Sequence, residues 1–279
     1  MAIINFIPTV WSESLTRSLN QEYVGVSHCN RDFEGEIKNC GSSVKICHVN
    51  DVRIYDYDPE CQIMSPESID KSISTLTVDR ARYFNFLIDD IDRVQKSPKL
   101  MDMAMRAAAH SLAMEADNYI FSLYTEAGTH LTHNNTTPEN ILEPLYQART
   151  LLQKAGVTDM SQVVFEVSPA VATLLLQSKM LIAHDNTATL ETGSVGSILG
   201  IPVFVSNNIA HMPDNSNTSR AMCLLRTRRA IAFAEQLSLI EAYRPDTCFA
   251  DAVKGLHLYG AQVVCPQELI CLNYQVSDN

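Results

Sequence analysis

The sequence predicts an α+β protein, and three observations predict it. Between Leu100 and Ala127 the chain has no glycine or proline and is rich in Ala, Leu and Met, the strongest helix formers. A helix of about 30 residues spans roughly 45 Å at 1.5 Å per residue, against about 11 to 12 residues for an ordinary globular helix. On both sides of it lie segments with the alternation of antiparallel strands, and between it and the second of these sits a shorter α/β region.

The first element is an arm. Val10 or Trp11, Leu15 and Leu19 recur at helical spacing between Pro8 and Gly25. Little sequence nearby can bury this apolar side, so the helix is expected to dock on something distant. From Phe33 to Tyr57 the chain alternates as two or three antiparallel strands, with turns at Cys40-Gly41-Ser42 and Asn50-Asp51. Its charges, Glu34, Glu36, Lys38, Lys45 and Arg53, suit a projecting hairpin whose edge invites another chain.

A strand pattern then runs from Thr75 to Asp92, and its acidic run, Asp89, Asp90 and Asp92, is a solvated strand end. Ser97 is a good N-cap with Pro98 at the first helical position, and Gly128 is the expected stop. Within the helix, Leu100, Ala104, Ala107, Ser111, Met114, Ile120, Leu123 and Ala127 form a stripe that can face a sheet.

In the middle region, His130 to Pro138 is polar and looks like a loop at a domain junction. A helix is expected from Thr137 to about Ala155, bent or split by Pro144. Gln162 to Val167 is a strand, and Ser168-Pro169 starts another helix. A turn from Gly193 to Gly200, a strand from Ile201 and a polar loop around Asp214 to Ser219 follow, then β-patterned segments to the end. Arg226, Arg228 and Arg229 read most simply as a solvated strand end; the alternatives are an acidic neighbour or DNA.

Composition limits function. A net charge of -11 argues against avid duplex binding, which needs basic surface. No stretch is apolar enough for a membrane span and the N-terminus has no signal-peptide pattern, so a soluble, cytosol-made chain is expected. The eight cysteines are then expected as reduced, apolar thiols. His28, Cys29, Cys40, Cys47, His48 and Cys61 lack the short ligand spacings of a zinc site, so no metal is expected. Gly193 to Gly200 lacks the Gly-Lys-Ser/Thr ending of a phosphate loop and precedes a strand, and neither a nucleophile elbow nor a zincin motif is present. No catalytic residue and no cofactor are predicted.

Segments taken in order carry a resemblance: IPTVWSESL; VSHCNRDFEGEIKNCGSSVKI and VNDVRIYDYD; TVDRARYFNFLIDDIDRVQ before the long helix; VFEVSPAVATLLL; GSVGSILGIPVFVSNNI; and AIAFAEQLSLIEAYRPDTCFADAVKGLHLYGAQVVCPQELI. Nearly end to end, the chain resembles the major capsid proteins of tailed bacteriophages, which share the Johnson or Hong Kong 97-like fold. That resemblance implies an N-arm (1–31), an extended β-hairpin loop (32–74), a peripheral domain with its spine helix (75–129), an axial α/β domain (130–227), peripheral return strands (228–260) and an axial C-terminal segment (261–279).

The resemblance also implies a structural function: self-assembly through pentamers and hexamers into an icosahedral head around double-stranded DNA, in the host cytoplasm during assembly and in the virion afterwards. Expected partners are other copies of the chain, a portal, packaged DNA by non-specific contact and no membrane. Because Met1 falls almost directly on the arm, a separate scaffolding protein is expected. Trp11, Leu15 and Leu19 are expected to dock under a neighbour, and Glu34, Glu36, Lys38, Lys45 and Arg53 to pair across subunits. Some members crosslink a Lys to an Asn; Lys38 and Lys45 lie in the right loop, but nothing singles out the Asn, and no crosslink is expected. The alternatives are an encapsulin-type nanocompartment shell, which shares the fold, a soluble α/β enzyme, and a nucleic-acid-binding protein.

Overall fold

The computed structural model describes residues 8–33, 43–49, 71–89, 99–178, 194–215, 218–246 and 250–277. Within these the helices are α1 (Pro8–Glu22), α2 (Lys99–Ser122), α3 (Glu143–Lys154) and α4 (Pro169–Gln177). The strands are β1 (Ser43–Val49), β2 (Lys71–Thr77), β3 (Arg80–Asp89), β4 (Thr129–His133), β5 (Val163–Val167), β6 (Ser194–Ile198), β7 (Ile201–Val205), β8 (His211–Asn215), β9 (Thr218–Thr227), β10 (Ile231–Tyr243), β11 (Ala250–Val263) and β12 (Leu269–Ser277).

They form three sheets. A seven-stranded sheet has the order β4-β12-β9-β5-β7-β6, with β8 beside β9. Its β12–β4 and β5–β7 pairs are parallel and the others antiparallel. A three-stranded antiparallel sheet has the order β10-β11-β3, and β1 and β2 form a separate antiparallel hairpin. The two larger sheets are continuous in sequence: β9 runs through Arg228–Ala230 into β10, and β11 through Pro266–Glu268 into β12.

Side-chain alternation explains how the layers stack. In β12, Ile270, Leu272, Tyr274 and Val276 point to one core, together with Ala221, Cys223 and Leu225 of β9 and with α3 and α4. The intervening Leu269, Cys271, Met222 and Leu224 point to a second core. Period-two alternation with both phases apolar is what a strand buried on both faces requires. The second core is filled by α2 through Met105, Ala109, Leu112, Ala113, Ala116, Ile120 and Phe121, and by one face of the three-stranded sheet. On that sheet's other face the hairpin packs Val44, Ile46, Leu76 and Val78 against Ala232, Ala234 and Leu258. At this crossing a Cβ on Gly260 would sit 2.2 Å from the carbonyl oxygen of Thr77, so only glycine fits.

Several elements differ from the sequence reading. The expected stripe holds at its end, where Ile120 and Leu123 are buried, but earlier in α2 Ala107, Ser111 and Met114 face outward, whereas Ala109, Leu112, Ala113, Ala116 and Asp117 face in. Pro144 does not break a helix but opens one, because its missing N–H falls in the first turn. His130–His133 is a parallel edge strand on β12, and the expected turn at Gly193 to Gly200 contains β6 and the tight Leu199-Gly200 hairpin. The polar segment near Asp214 is the β8–β9 hairpin. Ser168 caps α4 as expected, accepting from the backbone N–H of Val171, with Pro169 behind it. The proposed cap at Ser97-Pro98 lies outside the described residues.

Candidate functional site

The features without an explanation in core packing gather where the N-terminal arm joins the body. Leu15 and Leu19, four apart on α1, are each 1% exposed and lie in the core shared with α2 and β10. For these two residues the burial replaces the docking expectation: Leu15 and Leu19 are satisfied within their own chain, and neither has surface to offer a neighbour. The distant partner is real, but it is α2 and the last third of the same sequence.

After α1 the chain makes a turn from Tyr23 to Cys29 that touches nearly every layer. A Cβ on Gly25 would meet the Phe121 ring at 3.0 Å, which brings the turn's backbone onto α2. There the backbone N–H groups of Val24 and Val26 each donate to the Asp117 carboxylate at 2.9 Å. Burial pushes the Asp117 carboxyl up to about 6, partly opposed by these N–H groups.

Behind the turn stands Arg226 of β9, with none of its side chain exposed. Nε donates to Glu166 Oε2 at 2.9 Å and Nη2 to Glu166 Oε1 at 2.8 Å. Nη2 also donates to the carbonyl of Gly25 at 2.7 Å, and Nη1 to the carbonyl of His28 at 2.8 Å and to Cys29 Sγ at 3.6 Å. All five guanidinium donors are thus used, the condition under which a charge can sit in a core. His28 Nδ1 lies 3.2 Å from Glu166 Oε1. Burial opposes the ionised form of Glu166, but Arg226 and His28 more than offset it and hold the carboxyl below its ordinary range. Burial also pushes the Cys29 thiol up to about 11, so it remains protonated and unreactive.

A second carboxylate holds the turn's two ends. Glu235 of β10 accepts from the Tyr23 hydroxyl at 2.5 Å, from Arg31, and pairs with His257 Nε2 at 2.9 Å. Burial raises its carboxyl, and His257, Tyr23 and Arg31 bring it below the usual range. Between these side chains the backbone of Asn30 bridges to β10 in parallel, donating to Ile231 O and accepting from the N–H of Phe233, both at 2.9 Å. The arm is therefore clasped by α2, β5, β9 and β10 at once.

The predicted site residues divide accordingly. Lys45 lies exposed on β1, on the face away from the hairpin's apolar contacts. Glu34, Glu36, Lys38 and Arg53 lie outside the described residues, and Trp11 is placed only as a member of α1. Of the arginine cluster, Arg226 is the buried clasp rather than a solvated strand end, and Arg229 pairs with Glu268. Only Arg228 and Arg229 are exposed. The clasp residues were missed, although a signal existed: Glu166 and Arg226 are single charges inside the apolar runs VVFEV and MCLLRT, and Asp117 interrupts an apolar helix face.

No protein-family model matches the chain, and no curated protein matches it in sequence. Solved structures do. A chain of Mycobacterium phage Che8 matches over 97% of this chain and 98% of its own, at 28% identity and a TM-score of 0.68. A chain from the capsid of Ralstonia phage GP4 matches over 93% and 91%, at 12% identity and a TM-score of 0.69. A virus-like particle from Pyrococcus furiosus matches over 93% and 96%, at 11% identity and a TM-score of 0.55. The fold is the Hong Kong 97-like capsid fold. Within that class, the chain's resemblance to the tailed-phage major capsid proteins, read first from its segments, extends to its structure along nearly the whole length.

Proposed function

We propose that this chain is a major capsid protein that assembles through pentamers and hexamers into the icosahedral head of a tailed phage, enclosing double-stranded DNA. The observation that carries the reading is the match to the Che8 chain over 97% of the sequence at 28% identity. The chain's place is then the virion, after assembly in the host cytoplasm, and its role is structural rather than catalytic. In this reading the seven-stranded sheet with α3 and α4 is the axial domain, α2 with the three-stranded sheet the peripheral domain, and β1–β2 the root of the extended loop. Lys45, together with Glu34, Glu36, Lys38 and Arg53, belongs to the inter-subunit surface of that loop, and a portal acts as a further partner.

The mechanism is geometric. Identical subunits meet head to tail and form rings when the rotation closes. A subunit can tile accurately only if its layers hold a fixed angle, and the clasp at the arm root ties α2 to both large sheets. The test is electron microscopy of the protein expressed alone and with its neighbouring phage genes, after sizing on a gradient. Closed polyhedra, or rings of five and six, are expected; a uniform small oligomer under both conditions would overturn the reading. Particles filled with a cargo protein instead of DNA would select the nanocompartment alternative, whose support is the Pyrococcus furiosus match.

A further inference from the structure

Arg228 stands on a ridge between two open clefts. One, about 550 Å³, lies between the arm at Asn30 to Asp32 and the loop from Gly156 to Asp159. The other, about 680 Å³, lies across the arm's turn against Tyr23, Ser27, His28 and Phe204. Arg228 lines both.

Its neighbours in sequence are neutralised internally, Arg226 by Glu166 and Arg229 by Glu268. Arg228 is exposed and has no hydrogen-bond or ion-pair partner among the described residues. The clasp beneath it fixes the backbone on both sides, so this guanidinium is presented from a rigid base.

We propose that Arg228 and its two clefts form a docking site for a polar, carboxylate-bearing segment of a second copy of this chain. The proposal rests on the shell reading, which supplies the second copy. The cleft chemistry selects a polypeptide over a nucleic acid. Its walls combine the Arg228 guanidinium with the exposed carboxylates of Asp32 and Asp159, while the other two arginines that line it, Arg31 and Arg229, are already paired with Glu235 and Glu268. A phosphodiester backbone offers only acceptors and is repelled by both carboxylates, whereas a polypeptide brings amide donors for them and a carboxylate for the arginine. With 32 acidic against 21 basic residues, the chain has carboxylates in excess over its own cations to fill such a site.

The test uses the full chain, as wild type, Arg228→Ala and Arg228→Glu. Three quantities are measured: the melting midpoint of free subunits, the yield of closed particles on a gradient, and the nucleic acid those particles retain. Expected are unchanged midpoints, wild-type shells, and a yield of closed particles reduced about tenfold or more by Glu and less by Ala, as charge reversal at a docking contact predicts. Variants that close shells as well as wild type would overturn the proposal. Variants that close normally but retain less nucleic acid would overturn it in favour of DNA contact. If wild type itself forms no shell, the capsid reading fails and the proposal with it. Should Arg228→Glu alone lose its fold, the Ala variant decides.

Discussion

Arg226 and Glu166 lie one diagonal step apart on adjacent strands, β9 and β5, and meet through two parallel hydrogen bonds of 2.9 and 2.8 Å with neither side chain exposed. Removing one partner strands the other as a buried charge. Glu166→Ala is therefore expected to destabilise the free subunit by about 3 to 5 kcal/mol, measured by urea unfolding. Replacing both residues with apolar ones, often near neutral for a buried pair, is expected to remain unfavourable. The carbonyls of Gly25 and His28 would lose their donor, at about 1 to 3 kcal/mol for each buried orphan.

Asp117 sets a pH dependence of definite sign. Its carboxyl is raised by burial from 3.8 to about 6, so the folded state holds a proton that the unfolded chain releases. This contribution is complete below the unfolded value and is lost as pH rises through about 6, on the order of 3 kcal/mol at 1.36 kcal/mol per pH unit. Glu166 and Glu235, both lowered, act oppositely: their contribution is present above about 4.5 and is lost as pH falls through their folded values. Unfolding free energies of wild type and Asp117→Asn, followed from about pH 7 down to about pH 2, separate the two effects. The slope between about 4 and 6 should flatten in the variant while the acid limb persists.

Gly260 and Gly200 should respond differently to alanine. At Gly260 the added Cβ would meet the backbone oxygen of Thr77 at 2.2 Å, and backbone cannot swing aside. A cost of about 1 to 3 kcal/mol or more is expected, with weakened attachment of the hairpin. At Gly200 nothing lies within 4 Å, and only the positive φ of 81° opposes the change, at about 1 to 2 kcal/mol. Limited proteolysis distinguishes them: Gly260→Ala should expose the β1–β2 hairpin, Gly200→Ala should not.

Leu19→Ala should destabilise the subunit by about 2 to 5 kcal/mol, the range for a buried leucine, rather than leave it intact and assembly-defective. Removing residues 1–20 deletes Leu15 and Leu19 together and should yield an unstable subunit, read as a lowered melting midpoint. A truncated chain as stable as wild type would show that the arm is not part of the subunit core.

The sequence made element types legible where local chemistry dominates. Ser168-Pro169 announced α4 because cap and ring act within one turn, and the presence of a long α2 followed from the absence of breakers, although it is 24 residues long and gives way to a 3-10 turn over Leu123–Glu126 before Gly128. The facing of α2 before Ile120 did not follow, because Ala107, Ala108 and Ala109 offer three adjacent small faces and only the partner surface chooses among them. Pro144 was ambiguous for a related reason: proline disrupts a helix interior yet fits a first turn, and the boundary that decides is set by tertiary packing. The clasp was beyond local reading. The arm's residues bond partners 91 to 212 positions away, and the charges pair only once three layers meet.

The clasp also imposes an order on the chain's birth. Gly25 and His28 leave the ribosome early, yet the guanidinium that binds their carbonyls comes about 200 residues later. At about 5 to 20 residues per second, the arm waits on the order of 10 to 40 seconds before its anchor exists. Every interrupted translation product that stops short of residue 226 lacks that anchor, so the arm root registers whether synthesis has passed β9. The arm root acquires its rigid geometry only after Arg226 has been made.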